Sequence, residues 1–152
     1  MSGPELLLSC WVPVPPTPKG RPRFSRRSGR AYTPAATEAA ERTLRGELAH
    51  ATTLGQTPPT RHWPAAGALV LELRFTLAIP ASWSKKKRAA AAEGRLSHTS
   101  RPDVDNLGKL VMDAANGVLW GDDSQLTTVV LMKNYGATPG VWLSLSQHPE
   151  TT

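Results

Sequence analysis

A chain of 152 residues has room for one domain around one core, and 39% hydrophobic with 20% charged residues is an ordinary globular composition. The single cysteine, Cys10, excludes an intrachain disulfide and a cysteine-rich zinc site and fits a reducing compartment. Net charge is +6 and the sequence pI is about 10.0, so an anionic partner is the natural expectation. The opening MSGPELLLSC lacks a basic leader, and no later apolar run approaches the roughly 20 residues of a membrane span, so the reading is a soluble, cytoplasmic protein without a membrane partner.

The first strand is expected at Leu6 to Val14, where LLLSCWVPV is stopped by Pro15 and Pro16. PPTPKGRPRFSRRSGRAYTP follows, a basic loop over 15–34 too rich in proline and glycine for a helix, whose cations can reach phosphates. Thr33 as hydroxyl cap and Pro34 in the first turn open a helix with an apolar stripe at Ala36, Ala40, Leu44 and Leu48. Thr52 to Ala66 has no periodicity, and Ala68 to Ile79 then alternates Leu69, Leu71, Leu73, Phe75 and Leu77 on one face, the clearest strand of the chain. A short helix from about Ser84 carries Lys85, Lys86, Lys87 and Arg88 in its first turn, which conflicts with the helix dipole unless an anion lies nearby.

The next helix is marked by Val104, Leu107, Val111, Ala114 and Val118 at three-and-four spacing, with Asp103 able to cap its start and Gly117 able to take the left-handed residue after its end. After WGDDS, the runs LTTVVLMKNY and GVWLSLSQ flank GATPG and predict a C-terminal β-hairpin over 126–147. The expected fold is therefore α+β: one small domain over 1–152 in the order β-α-β-α-α-β-β, with about four strands in a mixed sheet packed with two to three helices.

The chemistry is concentrated over 103–123. Asp103 and Asp105 lie at the mouth of the helix, Asp122 and Asp123 follow its far end, and a chain folding back through the sheet would gather three or four acids. Clustered carboxylates repel one another and call for a cation, and oxygen donors without histidine or cysteine select magnesium, with manganese as a substitute. Such ions polarise phosphorus and activate water for phosphodiester hydrolysis. Lys109 lies at i, i+4 from Asp105 and can neutralise charge on a scissile phosphate. Each part also has an ordinary structural explanation: Asp103 as helix cap, Asp105 with Lys109 as a surface pair, Asp122 and Asp123 as turn formers, and Trp83, Trp120 and Trp142 as packing.

Taken together, RPDVDNLGKLVMDAANGVLWGDDSQL resembles the signature of the RusA family of Holliday junction resolvases, in which an arginine-rich approach, Asp-x-Asp-Asn, a lysine four residues later and a paired aspartate before Ser/Ala-Gln recur in that order. PPTPKGRPRFSR followed by GRAYTP is similar to the phage and prophage branch, so the likeness covers most of the chain apart from Thr52 to Ala66 and about Ala81 to Leu96. The resemblance implies that Asp103, Asp105 and Asp123 are metal-binding catalytic aspartates, with Asp122 a neighbouring ligand candidate, and that Lys109 is the active-site lysine. It further implies a homodimer that nicks four-way DNA junctions symmetrically with magnesium, in recombination, repair or phage DNA processing. The approach here is His98, Thr99, Ser100, Arg101 rather than a solid arginine run. Lys19, Arg21, Arg23, Arg26, Arg27 and Arg30, with Lys85, Lys86, Lys87, Arg88 and Arg101, are accordingly the DNA-binding candidates. Two other readings stay open: another metal-dependent nuclease or phosphohydrolase using the same acids, and a non-catalytic basic DNA-binding regulator, for which the chain shows no helix-turn-helix or zinc signature.

Overall fold

The computed structural model describes residues 3–54 and 62–149. The expected irregular stretch from Thr52 to Ala66 therefore lies partly outside the described residues. The strands are β1 (Glu5–Val12), β2 (Arg23–Phe24), β3 (Ala31–Tyr32), β4 (Leu69–Ala78), β5 (Leu126–Gly136) and β6 (Gly140–Gln147). The helices are α1 (Ala35–Ala51), α2 (Lys85–Ala92) and α3 (Val104–Ala115). Apart from the small β2–β3 ribbon, the order is the expected β-α-β-α-α-β-β.

The main sheet is mixed, in the order β1-β6-β4-β5, and β4 pairs antiparallel with β6 but parallel with β5. The period-two pattern of β4 explains its interior place: Leu69, Leu71, Leu73 and Phe75 are buried on one face while Glu72 and Arg74 ride on the other. Leu143 and Leu145 of β6 extend that apolar face, and Leu44 and Leu48 of α1 with Leu107, Leu110 and Val111 of α3 join the same core cluster. Each such side chain contributes about 1.5–3 kcal/mol of hydrophobic stabilisation. The opposite face is more open and carries one cross-strand row of Trp11, Trp142, Arg74 and Met132.

Two expectations are corrected. The runs at 126–147 are both strands, but they are not a hairpin, because β4 lies between them. The chain from Gly136 to Gly140 steps across the end of β4, with Gly136 level with Ala78 and Gly140 level with Thr76. Inserting the most apolar strand between them lets β4 fill both its hydrogen-bonding edges, a gain that loop length does not reveal. Secondly, α1 is capped at Pro34 without a side-chain hydrogen bond, so Thr33 is not its cap. The nearby Thr37 hydroxyl instead accepts from Gly20 N at 3.2 Å, and Ala36 is exposed rather than part of the buried stripe.

Helix α3 lies close against β5. A Cβ on Gly108 would come within 2.7 Å of a Leu131 methyl, so glycine permits this approach. Gly117, at φ 82°, takes the left-handed residue expected after the helix. No helix of the described residues is long and apolar enough to cross a membrane.

Cys10 is buried in the core, and burial pushes its thiol up to about 11. In the folded protein at pH 7.5, iodoacetamide should leave Cys10 unmodified over the time in which it alkylates the urea-unfolded chain completely; mass spectrometry of the intact protein checks this.

Candidate active site

The mouth of α3 holds the first two acids. Asp103 occupies the N-cap position in extended conformation (φ −68°, ψ 142°), yet its side chain makes no capping hydrogen bond, so the carboxylate is not consumed by the helix it precedes. Asp103 lines an open cleft of about 540 Å³ together with Pro18, Lys19, Arg21, Arg101, Pro102 and Asn106. Arg21 comes from the basic loop and Arg101 from the segment entering α3, so two guanidiniums share the cleft with a carboxylate. Paired guanidiniums of this kind can hold a phosphate. Asp105 and Lys109 are exposed one turn apart on α3, outside the residues lining the cleft, and no ion pair between them occurs among the described residues.

Lys19 is placed differently from the other basic-loop cations. Its ammonium lies 2.8 Å from Asp113 and 3.4 Å from Glu41, and its backbone N–H donates to Asn106 O at 3.0 Å. Burial works against its charge, but Asp113 and Glu41 outweigh that and hold its pKa above the ordinary lysine value. Lys19 is thus a tether joining the loop to α1 and α3. Arg23, Arg26, Arg27 and Arg30 stand exposed on and around the β2–β3 ribbon.

At the other end of α3, Asp122 accepts from Ser124 N at 2.9 Å and forms a reciprocal capping box with Gln125. Gln125 fixes this turn further, accepting from Gly121 N and donating to the carbonyls of Ala65 and Gly67. Asp123 accepts from the indole N–H of fully buried Trp120 at 2.7 Å through one oxygen. The chain does fold back along α3, but the strand direction decides where the acids go. β5 begins beside the Asp122–Asp123 turn and only at Lys133 reaches the start of α3, where Lys133 Nζ donates to Pro102 O at 2.9 Å. At about 3.3 Å per residue, Leu126 to Lys133 spans roughly 23 Å, so the Asp122–Asp123 turn belongs to the end of α3 away from Asp103. Among the described residues, no three histidine, cysteine, aspartate or glutamate side chains lie close enough to hold a metal ion. The convergence of acids expected from the sequence does not occur within one chain.

Lys85, Lys86, Lys87 and Arg88 are exposed on α2, whose Ser84 cap accepts from Lys87 N. The Lys87 ammonium lies 3.9 Å from the Trp83 ring centroid, and Trp83 meets Tyr135 edge-on at 5.2 Å. Tyr135 also packs on His98 at 4.5 Å, and burial together with the Lys133 charge lowers the His98 pKa. Lys133 escaped the sequence reading. Its signal was phase: it alternates with Leu131 and Tyr135 on the helix-facing side of β5, where a charge needs a reason.

Residues 13–146 match the family model of endodeoxyribonuclease RusA. The chain belongs to the RusA family. Uncharacterized protein YqaN of Bacillus subtilis (strain 168) is 38% identical over 77 residues, which are 49% of this chain and 54% of YqaN. The chain therefore spans about half the length of that curated relative. This RusA-family chain keeps its two acid groups on separate, individually ordered turns, and the order of the second rests on Trp120.

Replacing Trp120 by Phe removes the indole donor and leaves a small void, and should cost about 1–3 kcal/mol in urea unfolding. Asp123→Asn retains an oxygen that accepts the indole N–H and should cost less than about 1 kcal/mol. Equal, large losses for both would mean that the charge of Asp123 is structural.

Proposed function

We propose that the chain is a magnesium-dependent endodeoxyribonuclease that resolves four-way DNA junctions as a homodimer, by paired symmetric nicks. The observation that carries this reading is the cleft in which Asp103, free of any capping bond, faces Arg21 and Arg101 in a chain of the RusA family. Arg21 and Arg101 grip the phosphate, Asp103 and Asp105 supply hard oxygen donors, and Lys109 neutralises charge developing on the scissile group. The third donor comes from Asp123 of a second copy, since Asp123 of the same chain lies at the far end of α3. One free carboxylate oxygen remains there beside the Trp120 contact. A divalent ion held between them would polarise the phosphate and lower the pKa of a bound water. A two-fold dimer then presents two equivalent sites to a nearly two-fold junction. Asp122, engaged in its turn, serves as a support for Asp123 rather than as a ligand. The exposed cations of the β2–β3 ribbon and of α2 track the arms of the branched DNA.

Mixed dimers test the shared site directly. Asp105→Asn and Asp123→Asn homodimers should each lose at least about a hundredfold in cleavage of a labelled four-way junction. Their heterodimer contains one intact site and should nick one strand but not the symmetric pair. A dead heterodimer would place all acids in one chain, and magnesium-independent or indiscriminate cutting would sink the resolvase reading in favour of another nuclease.

Salt dependence separates the cations. Arg101→Ala should reduce the slope of log Kd against log salt by about 1, as loss of one phosphate contact requires. Lys19→Met should leave that slope unchanged and instead lower stability by about 1 kcal/mol through loss of its ion pairs.

A further inference from the structure

The segment that carries Arg101 into the cleft is held from β5. Lys133 Nζ donates to Ser100 O at 2.7 Å and to Pro102 O at 2.9 Å, so a single ammonium bridges the carbonyls on both sides of Arg101. Among the described residues, no carboxylate lies within ion-pair distance of Lys133. A half-buried cation without a carboxylate bears a desolvation cost that an apolar side chain in the same phase of β5 would avoid. What the ammonium gains is directional hold on two backbone oxygens, immediately before the residue that opens α3. Two positions along the same strand, Tyr135 packs on His98 and steadies the start of that segment. The cleft needs this hold, because Arg101 and Asp103 leave the backbone two residues apart and must both face the space that Arg21 enters from the basic loop.

We propose that Lys133 is a positioning residue for cleavage: by clamping the Ser100 and Pro102 carbonyls it sets the directions of Arg101 and Asp103 within the cleft. The proposal rests on the endonuclease reading above and assigns Lys133 no contact with the reacting atoms. Its neighbour in charge, Lys109, acts on the phosphate; Lys133 acts on the backbone that presents the acid.

The test compares the full chain with Lys133→Met and Lys133→Arg by amide hydrogen exchange without metal, by binding of a four-way junction in EDTA, and by cleavage in magnesium. In Lys133→Met, exchange at residues 107–109, the first amides bonded within α3, should quicken about tenfold while β4 stays protected. Junction affinity should fall no further than it does in Arg101→Ala, and kcat should fall roughly ten- to hundredfold, as a displacement of about 1 Å at a reacting group produces. Lys133→Arg, which keeps donors able to bridge two carbonyls, should recover most of kcat. A folded Lys133→Met protein with unchanged exchange and unchanged kcat overturns the proposal, as does loss of protection spread evenly through the sheet. If Lys133→Met fails to fold, Lys133→Gln takes its place with the same expected and overturning results. Should the wild type cleave no junction, the endonuclease reading fails on its own, while faster exchange at 107–109 in the metal-free variant still decides whether the clamp exists.

Discussion

The close packing of α3 on β5 is the constraint from which the rest of the site follows. Gly108 lets the helix settle against Leu131, and the two elements run in opposite directions. Once they do, the residues that begin α3 share one end with Lys133, and the residues that begin β5 share the other end with the close of the helix. Asp103 and Asp105 go to the first end and Asp122 and Asp123 to the second. A helix of 12 residues is about 18 Å long, so no side-chain rotation can reunite the two groups. A single chain thus carries one pair of aspartates at each end of the helix.

Around this axis, polar contacts fix what the core leaves loose. The basic loop would wander if its cations all faced water, but Lys19 anchors it to Asp113 and Glu41, and Gly20 N binds Thr37. Arg45 of α1 donates to the carbonyls of Asp113 and Ala114, closing the C-terminal turn of α3 that would otherwise expose unpaired acceptors. Loop, α1 and α3 are therefore one unit, and Arg21 enters the cleft from a fixed direction. At the other end, Gln125 and Trp120 hold the paired aspartates with equal definition.

Much of this was legible in the residues themselves. The leucine alternation of β4 and the three-and-four spacing of α3 gave strand and helix, because burial on one face imposes those periods. Gly117 and Ser84 marked helix boundaries for local steric and hydrogen-bonding reasons. The string around Asp103 to Asp123 gave the family. Sequence patterns were silent where the reason lay across the fold. Nothing in Lys19 distinguishes a tether from a phosphate ligand, since Asp113 and Glu41 are far away in the chain. Nothing in GATPG tells that β4 will lie between the strands it joins, since a short connection and a hairpin look alike.

Readable from the residues alone were the elements, the family and the mixture of carboxylates, guanidiniums and lysines around 101–123. Those follow from residue type and local spacing. The tertiary structure alone decided the direction of β5 against α3, and with it the distance between the acids, the enclosure of Lys19 and the placement of Lys133 under Arg101. These depend on how apolar faces meet and on which strand takes the interior of the sheet, quantities that local periodicity does not encode.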